Sequence, residues 1–195
     1  MAIDRSANLD KPSKALLLSI VLSISLLSWG CTGAAAPISV SNQPVSVNGR
    51  RAFKPLSEMS WTMSDGRVQK LGDFKGKAVI LDFWATYCGP CREEIPHLNE
   101  LVAKYGADNL SIFGLNVGGA EDKPKIPQFV SVTPIDYEIS FPESELNDFV
   151  FDQTSSIPQT LVFDRKGNLI TKIVGFNPKI QKELDAAVEM AVAPE

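Results

Sequence analysis

From Ala78 to Trp84 the chain is apolar at every position but Asp82, and four residues later it reaches Cys88-Gly89-Pro90-Cys91. The apolar run reads as a buried strand. Beyond it, Ile95, Leu98, Leu101, Val102 and Tyr105 recur at helical spacing, and the helix is expected to end by Gly106. Pro90 suits the first helical turn, where its missing N–H costs nothing. The next apolar run, Leu110 to Val117, then returns parallel to the first, which makes a βαβ unit. The strand-to-helix junction holds the two cysteines. The first sits at the helix N-terminus, where unpaired N–H groups and the helix dipole favour a thiolate. The second lies about one turn on, within reach of a small disulfide ring. This is the layout of a dithiol redox site. The competing readings are two structural cysteines or half of a zinc site. Zinc takes about four ligands, and the chain offers no second Cys-x-x-Cys and no His pair, so no metal site is expected.

The rest of the chain supplies the edges of an α/β sheet. Residues 60–63 and 68–71 flank Ser64-Asp65-Gly66-Arg67, a hairpin signal ahead of the central strand. In the middle, Pro124 and Pro127 permit a helix only near its start, over about 125–132. A short strand is expected over 136–140 and a short helix over 142–151. Residues 159–164 and 169–174 flank Arg165-Lys166-Gly167-Asn168, a second hairpin. Asn177 is placed to cap a last helix with Pro178 in its first position. Ile180, Leu184, Ala187, Val188 and Ala191 form its apolar stripe.

The N-terminus reads as an address. Lys11 and Lys14 precede an apolar stretch from Ala15 to Leu27, the order of an export signal. It runs into Ser28-Trp29-Gly30-Cys31, which resembles a lipoprotein processing site with lipid on Cys31. The alternatives are release after cleavage near 33–36 and an uncleaved anchor over 15–36, since about 20 apolar residues span a bilayer. Each puts the domain outside the cytoplasm. The expected organisation is a signal or anchor over 1–31, a flexible tether over 32–54 and one domain over 55–195.

The formal net charge of −4 leaves no basic patch to hold a phosphate backbone, so nucleic acid is not an expected partner. Of three cysteines, Cys31 belongs to the N-terminal stretch, so the domain holds no thiol besides the pair.

The segment Phe83-Trp84-Ala85-Thr86-Tyr87-Cys88-Gly89-Pro90-Cys91-Arg92-Glu93-Glu94-Ile95-Pro96, with the distant Ile157-Pro158-Gln159-Thr160, resembles the thioredoxins, and within them the exported, membrane-tethered TlpA-like or ResA-like group. The resemblance covers about residues 53–192. It implies a thioredoxin fold, a central mixed sheet flanked by helices, here with an N-terminal hairpin extension. The implied activity is thiol-disulfide exchange, with no cofactor beyond the redox-active Cys88–Cys91 disulfide. Cys88 matches the attacking cysteine and Cys91 the resolving one. Pro158 matches a cis-proline that sets the Ile157 backbone against the disulfide, where a substrate strand pairs with it. Gly175 matches a glycine that keeps the substrate surface open, and Trp84, Tyr87, Gly89 and Pro90 complete the implied substrate contacts. Asp82 matches the buried acid of cytoplasmic thioredoxins, where many exported relatives carry Asn. Glu94 matches an acid of the exported group that tunes the pair; the other reading is a solvated helix residue. His97, the only histidine, is expected to pack rather than to catalyse.

The resemblance also implies partners: a disulfide-containing exported protein as substrate, apocytochrome c among the candidates, and a membrane electron donor for re-reduction. Two rival activities are weaker. A peroxide reductase of this fold uses a Pro-x-x-x-Thr-x-x-Cys loop, absent before Cys88. A copper-binding assembly factor uses Cys-x-x-x-Cys and a later His, and no His follows His97.

Overall fold

The computed structural model describes residues 52–194. The expectations for the export segment, for Cys31 and for most of the tether lie outside these residues. Seven strands and four helices follow in order: β1 (Ser60–Met63), β2 (Val68–Lys70), β3 (Ala78–Trp84), α1 (Gly89–Tyr105), β4 (Leu110–Asn116), α2 (Ile126–Val132), β5 (Glu138–Pro142), α3 (Ser144–Val150), β6 (Gln159–Phe163), β7 (Leu169–Val174) and α4 (Pro178–Val192). They form one mixed sheet in the order β2-β1-β5-β4-β3-β6-β7. β3 pairs parallel with β4 and antiparallel with β6, so the βαβ unit read from the sequence is present. β1 joins the sheet by pairing antiparallel with β5, which attaches the N-terminal hairpin to the far edge of the core.

β3 is buried at all seven positions, and its alternation divides the molecule. Val79, Leu81 and Phe83 enter a core with Trp61, Phe113, Leu146 and Phe163. Ala78 and Ile80 face the other way, into a core with Leu98 and Leu101 of α1 and Leu184 and Val188 of α4. Asp82 and Trp84 share the second face by the two-residue repeat of a strand. A carboxyl therefore points into the side of the sheet covered by α1 and α4.

Boundaries moved where proline punctuates the chain. Pro142 ends β5, paired in register with Trp61, and α3 starts at Ser144 rather than at Pro142. A proline at a strand end keeps its extended φ and gives up only one ladder donor. Phe53 and Lys54, expected in the tether, already pack on the domain. The Phe53 ring meets Phe149 edge-on with centroids 5.4 Å apart, and Lys54 donates its backbone N–H to Glu145 Oε1 at 3.0 Å. His97 packs as expected: Nε2 lies 2.8 Å from Asp185 Oδ1 and Nδ1 lies 3.2 Å from Gln181 Nε2, which ties α1 to α4.

Candidate active site

Cys88 is the N-cap of α1, with Pro90 in the first turn. Its Sγ accepts the Cys91 backbone N–H at 3.2 Å, so the sulfur occupies the place a capping oxygen takes at other helices. A disulfide joins Cys88 to Cys91 across 5.3 Å between Cα atoms. Cys88 is 5% exposed and Cys91 1%, so Cys88 is the more accessible cysteine of the pair. Tyr87, Gly89 and Pro90 are exposed around it, with Tyr87 at 69%.

Behind the pair stands an apolar floor of Trp84, Ile95 and Phe129, against which Ile157 packs. The Ile157–Pro158 bond is cis, so the two segments that the resemblance pairs do meet. Gly175 donates its N–H to the Pro158 carbonyl at 2.8 Å and has φ +81°, a conformation natural to glycine. Trp84 requires a correction. It is fully buried, its rings tilted against Phe129 with centroids 4.9 Å apart, and it presents no surface to a substrate. Its side chain shares the inward face with Asp82, so it supports the cysteines from behind.

Two buried carboxyls lie on the face covered by α1 and α4. Asp82 in β3 is flanked in register by Gly114 of β4 and Thr160 of β6. Burial pushes its pKa up to about 7, against the opposing effect of the Tyr137 hydroxyl, which donates to Oδ2 at 3.0 Å. Glu94 of α1 is fully buried, which excludes the solvated reading. Burial raises its pKa well above the usual range and the charge of Asp82 raises it further, against a hydrogen bond from Thr160 at 2.6 Å. Asp82 Oδ1 and Glu94 Oε2 find no hydrogen-bond partner among the described residues.

A third buried carboxyl escaped the sequence reading. Asp122 accepts the Thr86 N–H at 2.9 Å, the Thr86 hydroxyl, and the Asn116 amide at 2.8 Å. Burial pushes its pKa up, but the donors outweigh it and hold the carboxyl below its ordinary value. Arg92 completes the clamp, donating to the Thr86 carbonyl at 2.8 Å and lying over the Phe129 ring at 4.3 Å. Thr86 is two residues before Cys88, so this clamp fixes the loop that delivers the cysteine. Neither Asp122 nor Tyr137 belongs to a motif; pairing in space alone reveals them. Among the described residues, no group of three or more His, Cys, Asp or Glu is placed to hold a metal ion.

Compared with known protein families, residues 50–188 match Redoxin. The chain belongs to the Redoxin family. Relatives sharpen the family to its thioredoxin-like thiol-disulfide oxidoreductases, and the chain is one of them. It is 33% identical over 122 residues to the thiol-disulfide oxidoreductase ResA of Bacillus cereus, covering 61% of this chain and 67% of that protein. It is 27% identical over 169 residues to ResA of Geobacillus thermodenitrificans, covering 86% of this chain and 91% of that one. Among solved structures, a thioredoxin-family thiol:disulfide interchange protein of Chlorobium tepidum TLS superposes with a TM-score of 0.59 at 28% identity, over 74% of this chain and 99% of that one. The mixed sheet with flanking helices is thus the thioredoxin fold that the sequence resemblance implies.

Proposed function

We propose that the protein reduces disulfides of exported proteins through Cys88 and Cys91. The observation that carries this reading is the joined pair at the head of α1, with Cys88 as both the cap and the more exposed cysteine. In the reduced protein, the Cys88 thiolate attacks one sulfur of the substrate disulfide. A mixed disulfide forms and one substrate thiolate leaves. The Cys91 thiolate then attacks Cys88 Sγ and the second substrate thiolate leaves. The substrate gains two electrons, and the enzyme loses them as the Cys88–Cys91 disulfide.

Asp82 is the acceptor for the Cys91 proton. A carboxyl with a pKa of about 7 is matched to proton transfer near neutral pH. An extended substrate segment docks along the Ile157 backbone as an added strand, against Tyr87, Gly89 and Pro90. A cleft of about 270 Å³ lined by Tyr87, Val117, Phe151 and Ile157 adjoins this rim and takes a flanking apolar side chain.

The Gly-Pro spacer and Asp82 support the reducing direction. On this reading the domain works outside the cytoplasm, held to the membrane through its N-terminal segment with lipid on Cys31. A membrane electron donor recharges it, and it needs no cofactor beyond its disulfide. Its clients are oxidised exported proteins, apocytochrome c among them. Equilibration against glutathione and dithiothreitol couples tests the direction. A potential closer to about −270 mV than to about −120 mV supports a reductase, and a value near −120 mV overturns it. Trapping with Cys91→Ser in the exported compartment identifies the clients.

A further inference from the structure

We infer that Tyr137 is a positioning residue: lying in the gap left by Gly114, it donates its hydroxyl to Asp82 and makes Asp82, rather than Glu94, the carboxyl of the buried pair that ionises. This deepens, and rests on, the reading of Asp82 as the proton acceptor for Cys91.

The geometry begins with the strand register. Asp82 stands beside Gly114 on one side and Thr160 on the other, and cross-strand partners share a face of the sheet. Tyr137 comes from the segment before β5, which lies beyond β4 in the sheet, so its ring must cross β4 to reach Asp82. It crosses at Gly114. A Cβ there would stand 2.9 Å from Tyr137 Cε2 and 3.0 Å from Trp84 Nε1, closer than side chains pack. Gly114 is thus a built opening, and the residue that fills it is the one that hydrogen-bonds Asp82.

The two carboxyls receive different hydroxyls. Asp82 takes the phenol of Tyr137 and Glu94 takes the alcohol of Thr160. A phenol is the stronger acid and hence the better donor to a carboxylate. An aliphatic hydroxyl serves equally as an acceptor and tolerates a protonated partner. Each carboxyl keeps one oxygen without a partner among the described residues, so the second ionisation would bury two like charges in one low-dielectric site. The pair therefore gives up one proton readily, and the better donor decides where it comes from. The titratable groups facing Asp82 are Glu94 from α1 and Tyr137 from the approach to β5. Burial together with the Asp82 charge and hydrogen bond holds the Tyr137 hydroxyl well above its usual pKa, so it stays a donor throughout.

The test is a carbon-13 NMR titration of the carboxyl carbons of full-length protein, reduced and oxidised. Asp82 should show the larger share of the first step. Tyr137→Phe keeps the ring over Gly114 and removes only the donor. It should raise the pH of that step at Asp82 by about one unit, a tenfold change in proton affinity, and move part of the step to Glu94. Gly114→Ala, which displaces the ring, should do the same. A first step seated on Glu94 in the parent protein overturns the inference, as does an Asp82 titration that neither variant moves. Insulin-disulfide reduction by the same samples judges the underlying reading separately. Shifted titrations in a protein inert toward disulfides support the carboxyl assignment and sink the redox reading, whereas unshifted titrations in an active protein overturn the assignment alone.

Discussion

Asp82, deep in the core, and Asp122, in a shallower layer, are both closed off from solvent, each 1% exposed. Their charges are nevertheless driven in opposite directions. Asp122 accepts three hydrogen bonds from Thr86 and Asn116 and is held as a carboxylate. Asp82 accepts one, from Tyr137, and its pKa rises to about 7. The depth of burial sets the cost of a charge, and the number of donors decides whether that cost is met; Asp82 is both the deeper and the poorer in donors. One carboxylate is therefore structural, a permanent anion that holds the loop before Cys88. The other has its pKa raised to about 7, which suits the proton acceptor proposed for Cys91. The same residue type serves both purposes because the chain surrounds one with donors in a shallow layer and leaves the other short of them deep in the core.

The largest effect that would break this contrast is on the structural side. Asp122→Ala leaves the Thr86 N–H, the Thr86 hydroxyl and the Asn116 amide without their acceptor. Buried orphan donors cost about 1–3 kcal/mol each. Urea unfolding should show a loss of about 4 kcal/mol, and a loss under 1 kcal/mol would show that this clamp does not hold the loop.

Asp82 should respond in the opposite sense. Its folded pKa lies above that of the unfolded chain, so between pH 4 and 7 the unfolded state sheds a proton that the folded state keeps. Stability then falls as the pH rises through that window. Asp82→Asn retains an acceptor for Tyr137 and should flatten this fall by on the order of 3 kcal/mol. The Asp122 contribution runs the other way, present above about pH 4 and lost only below it. Unfolding curves at pH 4 and pH 7 for the parent and Asp82→Asn decide the point, and identical slopes would remove the contrast.

The smallest effect sharpens the structural half. A Cβ on Gly118 would stand 2.3 Å from the Asp122 carboxyl, so Gly118→Ala should push that carboxyl off its donors and cost about 2 kcal/mol, in the range of overpacked sites. No change in unfolding midpoint would mean that the loop relaxes around the methyl group.

Local signals made the frame of the molecule legible. The apolar run of β3, Pro90 after Cys88, and the Asp-Gly and Lys-Gly turns each specify their own neighbourhood, and those elements fell where the sequence placed them. The middle drifted by a few residues because proline at a strand end and proline at a helix start look alike in sequence. The cysteine pair was legible from spacing. Its supports were not: Tyr137 reaches Asp82 across 55 positions, and Asp122 reaches Thr86 across 36. Those pairings depend on which strand lies beside which, and a single strand's pattern does not carry that information. Trp84 shows the converse. Its place in a motif suggested contact with a substrate, while its position on the inward face of a doubly covered strand buries it.

The mechanism stands on Cys88 being the sulfur that attacks and Cys91 the one that resolves. The direct measurement mixes reduced Cys91→Ser and reduced Cys88→Ser proteins, each with a disulfide-linked peptide, and follows peptide capture by mass spectrometry. Cys91→Ser is predicted to accumulate half of the peptide as a stable mixed disulfide on Cys88, while Cys88→Ser captures none on the same timescale. Equal capture by both variants, or capture by neither, would contradict it.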